Sequence, residues 1–296
     1  MAPRERDVPA SKERILRVRE DGDLTGTPVF LLHGQPGSRV VYARHVEDAR
    51  RKGIRLISYD RPGYGGSTRV PQRTVGDVAD DVRTVADALG IDRFGLWGIS
   101  AGGAPALACA ARLPGRAAAV ASLAAVAPYP SEGLDWTAGM GEYNVEDFHL
   151  MMRDRAAWEA KSEQEAAEMV HASADAVLEA FSSLLSPVDR EVCTPDFTGF
   201  LIENVREGLR TGAAGSIDDA LSGIRPWGFG LDSISGPLLY WHGEQDRFVP
   251  ISHGRWIAAR LPRHAEVRLT EGDGHLTLYA RRIPEVHDWL LEHLRG

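Results

Sequence analysis

Ser100 is the centre of Gly98-Ile99-Ser100-Ala101-Gly102, a Gly-x-Ser-x-Gly run that follows the apolar stretch Arg93–Trp97 and precedes the helix-forming Ala104-Pro-Ala-Leu-Ala-Cys-Ala-Ala111. Flanking glycines let a chain turn sharply from strand to helix while the serine hydroxyl stays exposed above the sheet edge, with the positive end of a helix behind it. A serine hydroxyl is a weak nucleophile until a base takes its proton, and that base needs a carboxylate to fix its tautomer. Both lie downstream. Asp246 sits in His242-Gly-Glu-Gln-Asp246-Arg-Phe-Val-Pro250, just past the apolar run Pro237–Trp241, and His275 ends Glu271-Gly-Asp-Gly-His275. The order Ser, Asp, His, each beyond the carboxyl end of a strand, suits an open parallel sheet, whose ligands bind at that edge. The other histidines lie mostly on helical patterns or among charges, where packed or solvated roles suffice.

Acyl transfer through a tetrahedral intermediate also requires two N–H donors aimed at the oxyanion. Ala101, the residue after the candidate nucleophile, supplies one. The second is expected from Gln35, in the loop His33-Gly34-Gln35-Pro36-Gly37-Ser38 after the apolar run Val29–Leu32.

The elements that must hold these residues are legible as periodicities. Pro28–Leu32, Arg55–Tyr59, Arg93–Trp97 and Ala119–Leu123 are short, largely apolar runs of the kind covered on both faces of a sheet. Val75, Val78, Val82, Val85 and Leu89 recur at helical spacing between the second and third, with Gly90 placed to end that helix. Strands alternating with helices predict an α/β fold with a mostly parallel sheet. From Ser131 to Ile234 the alternation stops. Met169, Val170, Val177, Phe181 and Leu185 form one helical stripe, and Phe200, Leu201, Val205 and Leu209 another, opened by Thr194-Pro195 as cap and first turn. The sheet pattern returns at Pro237–Trp241, followed by a helix near 251–261, a strand near 265–269 and a closing helix carrying Ile283, Val286, Leu290 and Leu294. A stretch of that length is too long for a structureless loop. It therefore reads as a helical cap, 131–234, threaded through one discontinuous core formed by 1–130 and 235–296.

Composition sets the outer bounds. The 296 residues are 43% hydrophobic and 26% charged, as expected of a globular chain, and a formal net charge of −8 argues against a nucleic-acid partner. Two cysteines, Cys109 and Cys193, are neither a disulfide framework nor a metal motif. The charged first residues and the lack of a long apolar stretch lead to the expectation of a cytoplasmic protein without a membrane partner, monomeric or homodimeric.

Taken together, His33-Gly-Gln-Pro-Gly-Ser38, Asp60-Arg-Pro-Gly-Tyr-Gly-Gly-Ser67, Gly98-Ile-Ser-Ala-Gly102, His242-Gly-Glu-Gln-Asp246 with Pro250, and Gly274-His275 resemble the α/β-hydrolase family, in its capped serine branch. The resemblance implies Ser100 as nucleophile, His275 as base, Asp246 as acid, and an oxyanion hole from Gln35 and Ala101, with neither cofactor nor metal. Ser100 stands where haloalkane dehalogenases and epoxide hydrolases carry aspartate, which turns the reading away from both chemistries. The loop at His33 and the large helical cap are also similar to proline iminopeptidases. The elbow departs from them, with Gly-Ile-Ser-Ala-Gly in place of Gly-Gly-Ser-Trp-Gly, although Glu142, Glu146 and Glu203 of the cap offer carboxylates for a substrate ammonium.

Trp136, Met140, Phe148, Met151, Met152, Trp158, Trp227 and Phe229 give the cap apolar surface, some of which must close over the site. Trp136, Met140, Phe148, Met152 and Trp227 are expected to line a pocket with His33, Gly34, Ile99, Phe248 and Leu276. The expectation is a small, largely apolar carboxylic ester or lactone cleaved through an acyl-enzyme. Four alternatives share the fold: C–C bond hydrolysis, iminopeptidase activity, a lyase using the His275 base alone, and a non-enzymatic ligand sensor.

Overall fold

A computed structural model describes residues 2–295 and contains one eight-stranded sheet. Its first two strands lie in a charged stretch for which the apolar periodicity predicted nothing. β1 (Arg4–Pro9) and β2 (Ile15–Gly22) form an antiparallel hairpin. Val8, Leu16 and Val18 face inward at period two, while the charges satisfy one another across strands: Arg6 meets Glu20 at 2.6 Å and Arg17 meets Glu5 at 2.9 Å.

The remaining strands are β3 (Thr27–Leu32), β4 (Ile54–Tyr59), β5 (Phe94–Ile99), β6 (Ala117–Leu123), β7 (Leu238–Gly243) and β8 (Glu266–Thr270). The spatial order is β1-β2-β4-β3-β5-β6-β7-β8, antiparallel at the first two pairings and parallel thereafter. Phe30 and Leu32 point to one face, toward α2 (Val78–Ala88) and α3 (Gly103–Arg112). Val29 and Leu31 point to the other, toward α1 (Ala43–Arg51) and α11 (His275–Leu294). This two-sided burial is why the strands read as unbroken apolar runs. The register aligns the carboxyl ends: Leu32 pairs with Gly98, Ile99 with Leu123, Leu123 with Trp241, and Gly243 with Thr270. Whatever follows β3, β5, β7 and β8 therefore gathers at one edge.

Between β6 and β7 the chain runs through α4 (Glu142–Arg153), α5 (Arg155–Met169), α6 (Ala174–Ala180), α7 (Pro187–Val192), α8 (Pro195–Leu209) and α9 (Ala214–Gly223), and α10 (Ile251–Ala258) follows β7. Thr194 caps α8 through its hydroxyl, and Pro195 takes the first turn. The stripe from Met169 to Leu185 is not one helix. Ser173 accepts from the Ala176 N–H and opens α6, so a hydroxyl cap divides an apolar periodicity that continues through it, and Ser186-Pro187 opens α7 just beyond the stripe.

Candidate active site

The Gly-x-Ser-x-Gly turn needs its glycines for space. A Cβ on Gly98 would collide with the Gly102 carbonyl, and one on Gly102 with the Leu32 carbonyl. Ser100 itself sits at φ +58°, a left-handed conformation that costs a non-glycine residue of order 1–3 kcal/mol and recurs at functional sites. It opens a tight helical turn that runs into α3. The loop after β3 packs against it: a Cβ on Gly34 would lie 3.4 Å from the Ser100 Cβ.

His275 is the first residue of α11, so its backbone is held by a helix. Its Nδ1 lies 2.6 Å from Asp246 Oδ2. The carboxylate must accept there, which places the ring proton on Nδ1 and leaves Nε2 as the basic atom. Asp246 is itself held by the backbone N–H groups of Phe248 and Val249, each 2.8 Å from Oδ1. Phe248 stacks on the imidazole at 4.6 Å between centroids. Burial works against a charge on His275, but the Asp246 carboxylate outweighs it and holds the pKa above the usual 6.5. Nearby His242 donates from Nε2 to the Val249 carbonyl at 2.8 Å and accepts at Nδ1 from the Tyr240 hydroxyl. Burial keeps it below its ordinary pKa against the Asp246 charge, so it serves as a neutral strut.

A cavity of about 460 Å³ joins these elements to the helices between β6 and β7. Ser100, His275, Ala101, Gln35, His33, Gly34, Ile99, Phe248 and Leu276 line it from the sheet side, and Trp136, Met140, Phe148 and Trp227 from the other. Asp246 sits behind His275, away from the cavity. Met152 is a correction: it is 47% exposed, whereas Met151 is buried and lines the cavity. Adjacent helical residues point about 100° apart, and Met151, three residues after Phe148, shares its inward face. Glu142, Glu146 and Glu203 are all exposed and none lines the cavity. Cys109 is buried, and its thiol is pushed up out of the reactive range by that burial.

Two carboxylates near the site carry no signal in the sequence pattern, Asp219, partly buried on the cavity wall, and Asp189, fully buried. Asp219 of α9 takes the Arg61 guanidinium, the Arg73 guanidinium at 2.7 Å and the Tyr64 hydroxyl at 2.8 Å. Despite burial, which opposes ionisation, the two arginines lower its pKa to about 2. Arg61 also donates to the His33 carbonyl, so this cluster braces the loop that carries Gln35. The second, Asp189, follows Ser186 by three residues and looks like the end of an ordinary helix-opening motif.

The chain belongs to the α/β-hydrolase family, whose model, described as the alpha/beta hydrolase fold, matches residues 27–281. It is 25% identical over 260 residues to the AB hydrolase superfamily protein YisY of Bacillus subtilis, covering 87% of this chain and 88% of that one. It is 24% identical to a 2-hydroxy-6-oxononadienedioate/2-hydroxy-6-oxononatrienedioate hydrolase of Pseudomonas putida, covering 93% and 94%. Among solved structures, a thermophilic esterase from Thermogutta terrifontis superposes with a TM-score of 0.68 at 22% identity, covering 98% of this chain and 99% of that one. Relatives of this kind support a hydrolase, and no helix among the described residues is long and apolar enough to cross a membrane.

Proposed function

We propose that the protein is a cofactor-independent serine hydrolase that cleaves an uncharged, largely apolar carboxylic ester or lactone, with residues 131–234 acting as a cap over a core of 1–130 and 235–296. The observation that carries this reading is the 2.6 Å contact between His275 Nδ1 and Asp246, on the wall of a cavity that also receives Ser100 from its strained turn. Ser100 Oγ attacks the carbonyl carbon as its proton passes to His275 Nε2. The N–H groups of Gln35 and Ala101 take the oxyanion, and Asp246 supports the imidazolium without accepting its proton. Collapse of the intermediate returns the proton to the departing alkoxide. Water then enters by the same base, releasing the acid and regenerating Ser100.

Two features favour a neutral substrate. Among the described residues, Arg73 is the one arginine or lysine on the cavity wall, and it is engaged by Asp218 and Asp219. A substrate with free carboxylates, as the name of the Pseudomonas relative's substrate implies, finds no unpaired lysine or arginine there. Glu142, Glu146 and Glu203 are exposed, away from the cavity, and the carboxylates of α4 and α5 that do line it, Asp147 and Glu165, are both paired with Lys161, which speaks against an aminopeptidase reading.

The test is turnover of p-nitrophenyl acyl esters and of neutral lactones, with Ser100→Ala as blank, beside labelling by a fluorophosphonate. Loss of turnover by about 10⁴-fold or more in Ser100→Ala is expected, with one covalent adduct on Ser100 in the parent. Because the base must be neutral, parent activity falls on the acid side with an apparent pKa above 6.5. Unchanged turnover in Ser100→Ala would sink the nucleophile assignment.

A further inference from the structure

His275 is held from two sides, and only one of them is the Asp246 contact. Asp189, on α7, is fully buried, and its carboxylate turns away from its own helix toward the start of α11. Oδ2 accepts the backbone N–H of His275 at 3.1 Å, and Oδ1 accepts the N–H of Thr277 at 2.9 Å and the Thr277 hydroxyl at 3.1 Å. The Ser186 hydroxyl donates to Oδ2 at 2.9 Å. All four donors are neutral. Anchoring a carboxylate this way at a helix N-terminus is favourable, because the first N–H groups of a helix lack partners within it and its dipole attracts negative charge.

Gly274 provides an independent sign that the arrangement is built. A Cβ at that position would collide with Asp189 Oδ2 and stand 2.6 Å from Ser186 Oγ. The residue before His275 therefore lacks a side chain where Asp189 sits. The Gly274 N–H turns inward to Thr277 Oγ1 at 2.5 Å, which closes the turn around the carboxylate.

We propose that Asp189 is a positioning residue for the base: a carboxylate supplied by the helices between β6 and β7 that fixes the backbone of His275 and adds negative charge beside its ring. The proposal rests on the reading of His275 as the general base. Besides Asp189, Asp246 bonds to the His275 ring and neutral His242 stands 3.6 Å from Asp246, while Asp273, two residues earlier in the chain, is paired with Arg282 at 3.0 Å. Among the described residues, Asp189 is thus the one carboxylate besides Asp246 that bonds to His275, and it does so at the backbone. Removing its charge destabilises the imidazolium and lowers the pKa of the base. Loosening the α11 N-terminus widens the range of ring positions from which Nε2 must reach Ser100.

The experiment measures the rate of fluorophosphonate labelling of Ser100 from pH 5 to 9 in the parent, Asp189→Asn, Ser186→Ala and His275→Gln, well below each melting temperature. Asp189→Asn is expected to label about tenfold more slowly at the plateau, as for one lost bond to a charged group. Its acid limb should move to lower pH by about half a unit. Ser186→Ala keeps the carboxylate and loses one hydroxyl that holds it, so its plateau falls about threefold with the limb in place. It decides the question if Asp189→Asn does not fold. A role confined to folding would lower the melting temperature and leave plateau and limb unchanged, and that result overturns the proposal. If His275→Gln labels as fast as the parent, the serine-hydrolase reading falls, and this inference with it. A silent His275→Gln beside an unchanged Asp189→Asn overturns the role of Asp189 alone.

Discussion

The sheet and the helices between β6 and β7 are held in place by different forces. The sheet is sandwiched between apolar helix faces: β5, for instance, is buried at every position, with α3 on one side and α11 on the other. The helices α4 to α9 keep a small apolar cluster around Met151, Trp158, Leu209 and Ile217, of which Met151, Trp158 and Leu209 also line the cavity, and a smaller apolar contact of Val192 and Phe197 with Tyr42. Their attachment to the sheet side includes a series of directional polar contacts. Asp219 holds Arg61 and Arg73, Asp218 holds Arg69 at 2.8 Å, Glu207 holds Arg39 at 2.6 Å, Asn204 holds the Val40 carbonyl at 2.6 Å, and Asp189 holds the start of α11. An apolar face that lines an open binding cavity has less of its surface free to be pressed into a core. Charged contacts at the rim allow docking in one orientation while the cavity stays clear.

That contrast can be broken most directly at Asp219. Asp219→Ala leaves the buried guanidinium of Arg61 without its carboxylate, and unfolding free energy is expected to fall by about 3–5 kcal/mol, measured by denaturant titration. A loss smaller than that of a buried apolar truncation such as Leu209→Ala would mean that the helices are held chiefly by hydrophobic contact.

Acid sharpens the comparison further. Burial lowers the pKa of His253 to about 4 and of His45 to about 3, so both fold neutral. Their contribution is complete above the ordinary 6.5 and is lost as pH falls through those values, because the unfolded chain takes up protons first. Asp219, lowered from 3.8 to about 2, contributes fully above 3.8 and loses that contribution only as pH falls through about 2. Stability should therefore decline from below pH 6.5 through loss of the buried histidines, with the Asp219 attachment still intact at pH 4. Hydrogen exchange at pH 4 that shows α9 opening before α1 would contradict this order.

The smallest expected difference lies between two neighbours on α4. Met151→Ala enlarges the cavity and alters KM for bulky esters, whereas Met152→Ala, on the solvent face, changes stability by less than about 0.5 kcal/mol and leaves KM unaltered. Equal effects on KM would show that α4 turns during binding.

Much of the sheet could be read in advance because its strands are buried on both faces, and such burial leaves the same signature wherever a strand sits. The hairpin of β1 and β2 escaped notice because cross-strand ion pairs replace apolar alternation there, and Glu20 is fully buried between Arg6 and Arg55. The helical stripe around Met169 looks continuous in sequence because its apolar spacing carries across Ser173, whose capping role depends on local backbone geometry. Met152 and Met151 are equivalent in composition, which names a methionine without saying which way its helix turns.

The sequence alone determined the kinds of residue that meet at the sheet edge, since a serine between glycines after a strand, and an aspartate and a histidine after later strands, are placed by local rules. The side chain that braces His275 from the far side was decided by tertiary structure. Asp189 lies 86 residues from His275, within a motif that reads as the cap of its own helix. Only the docking of α7 against α11 turns its carboxylate onto another helix, because helix propensity is local and the choice of acceptor for an orphaned N–H group belongs to the assembled fold.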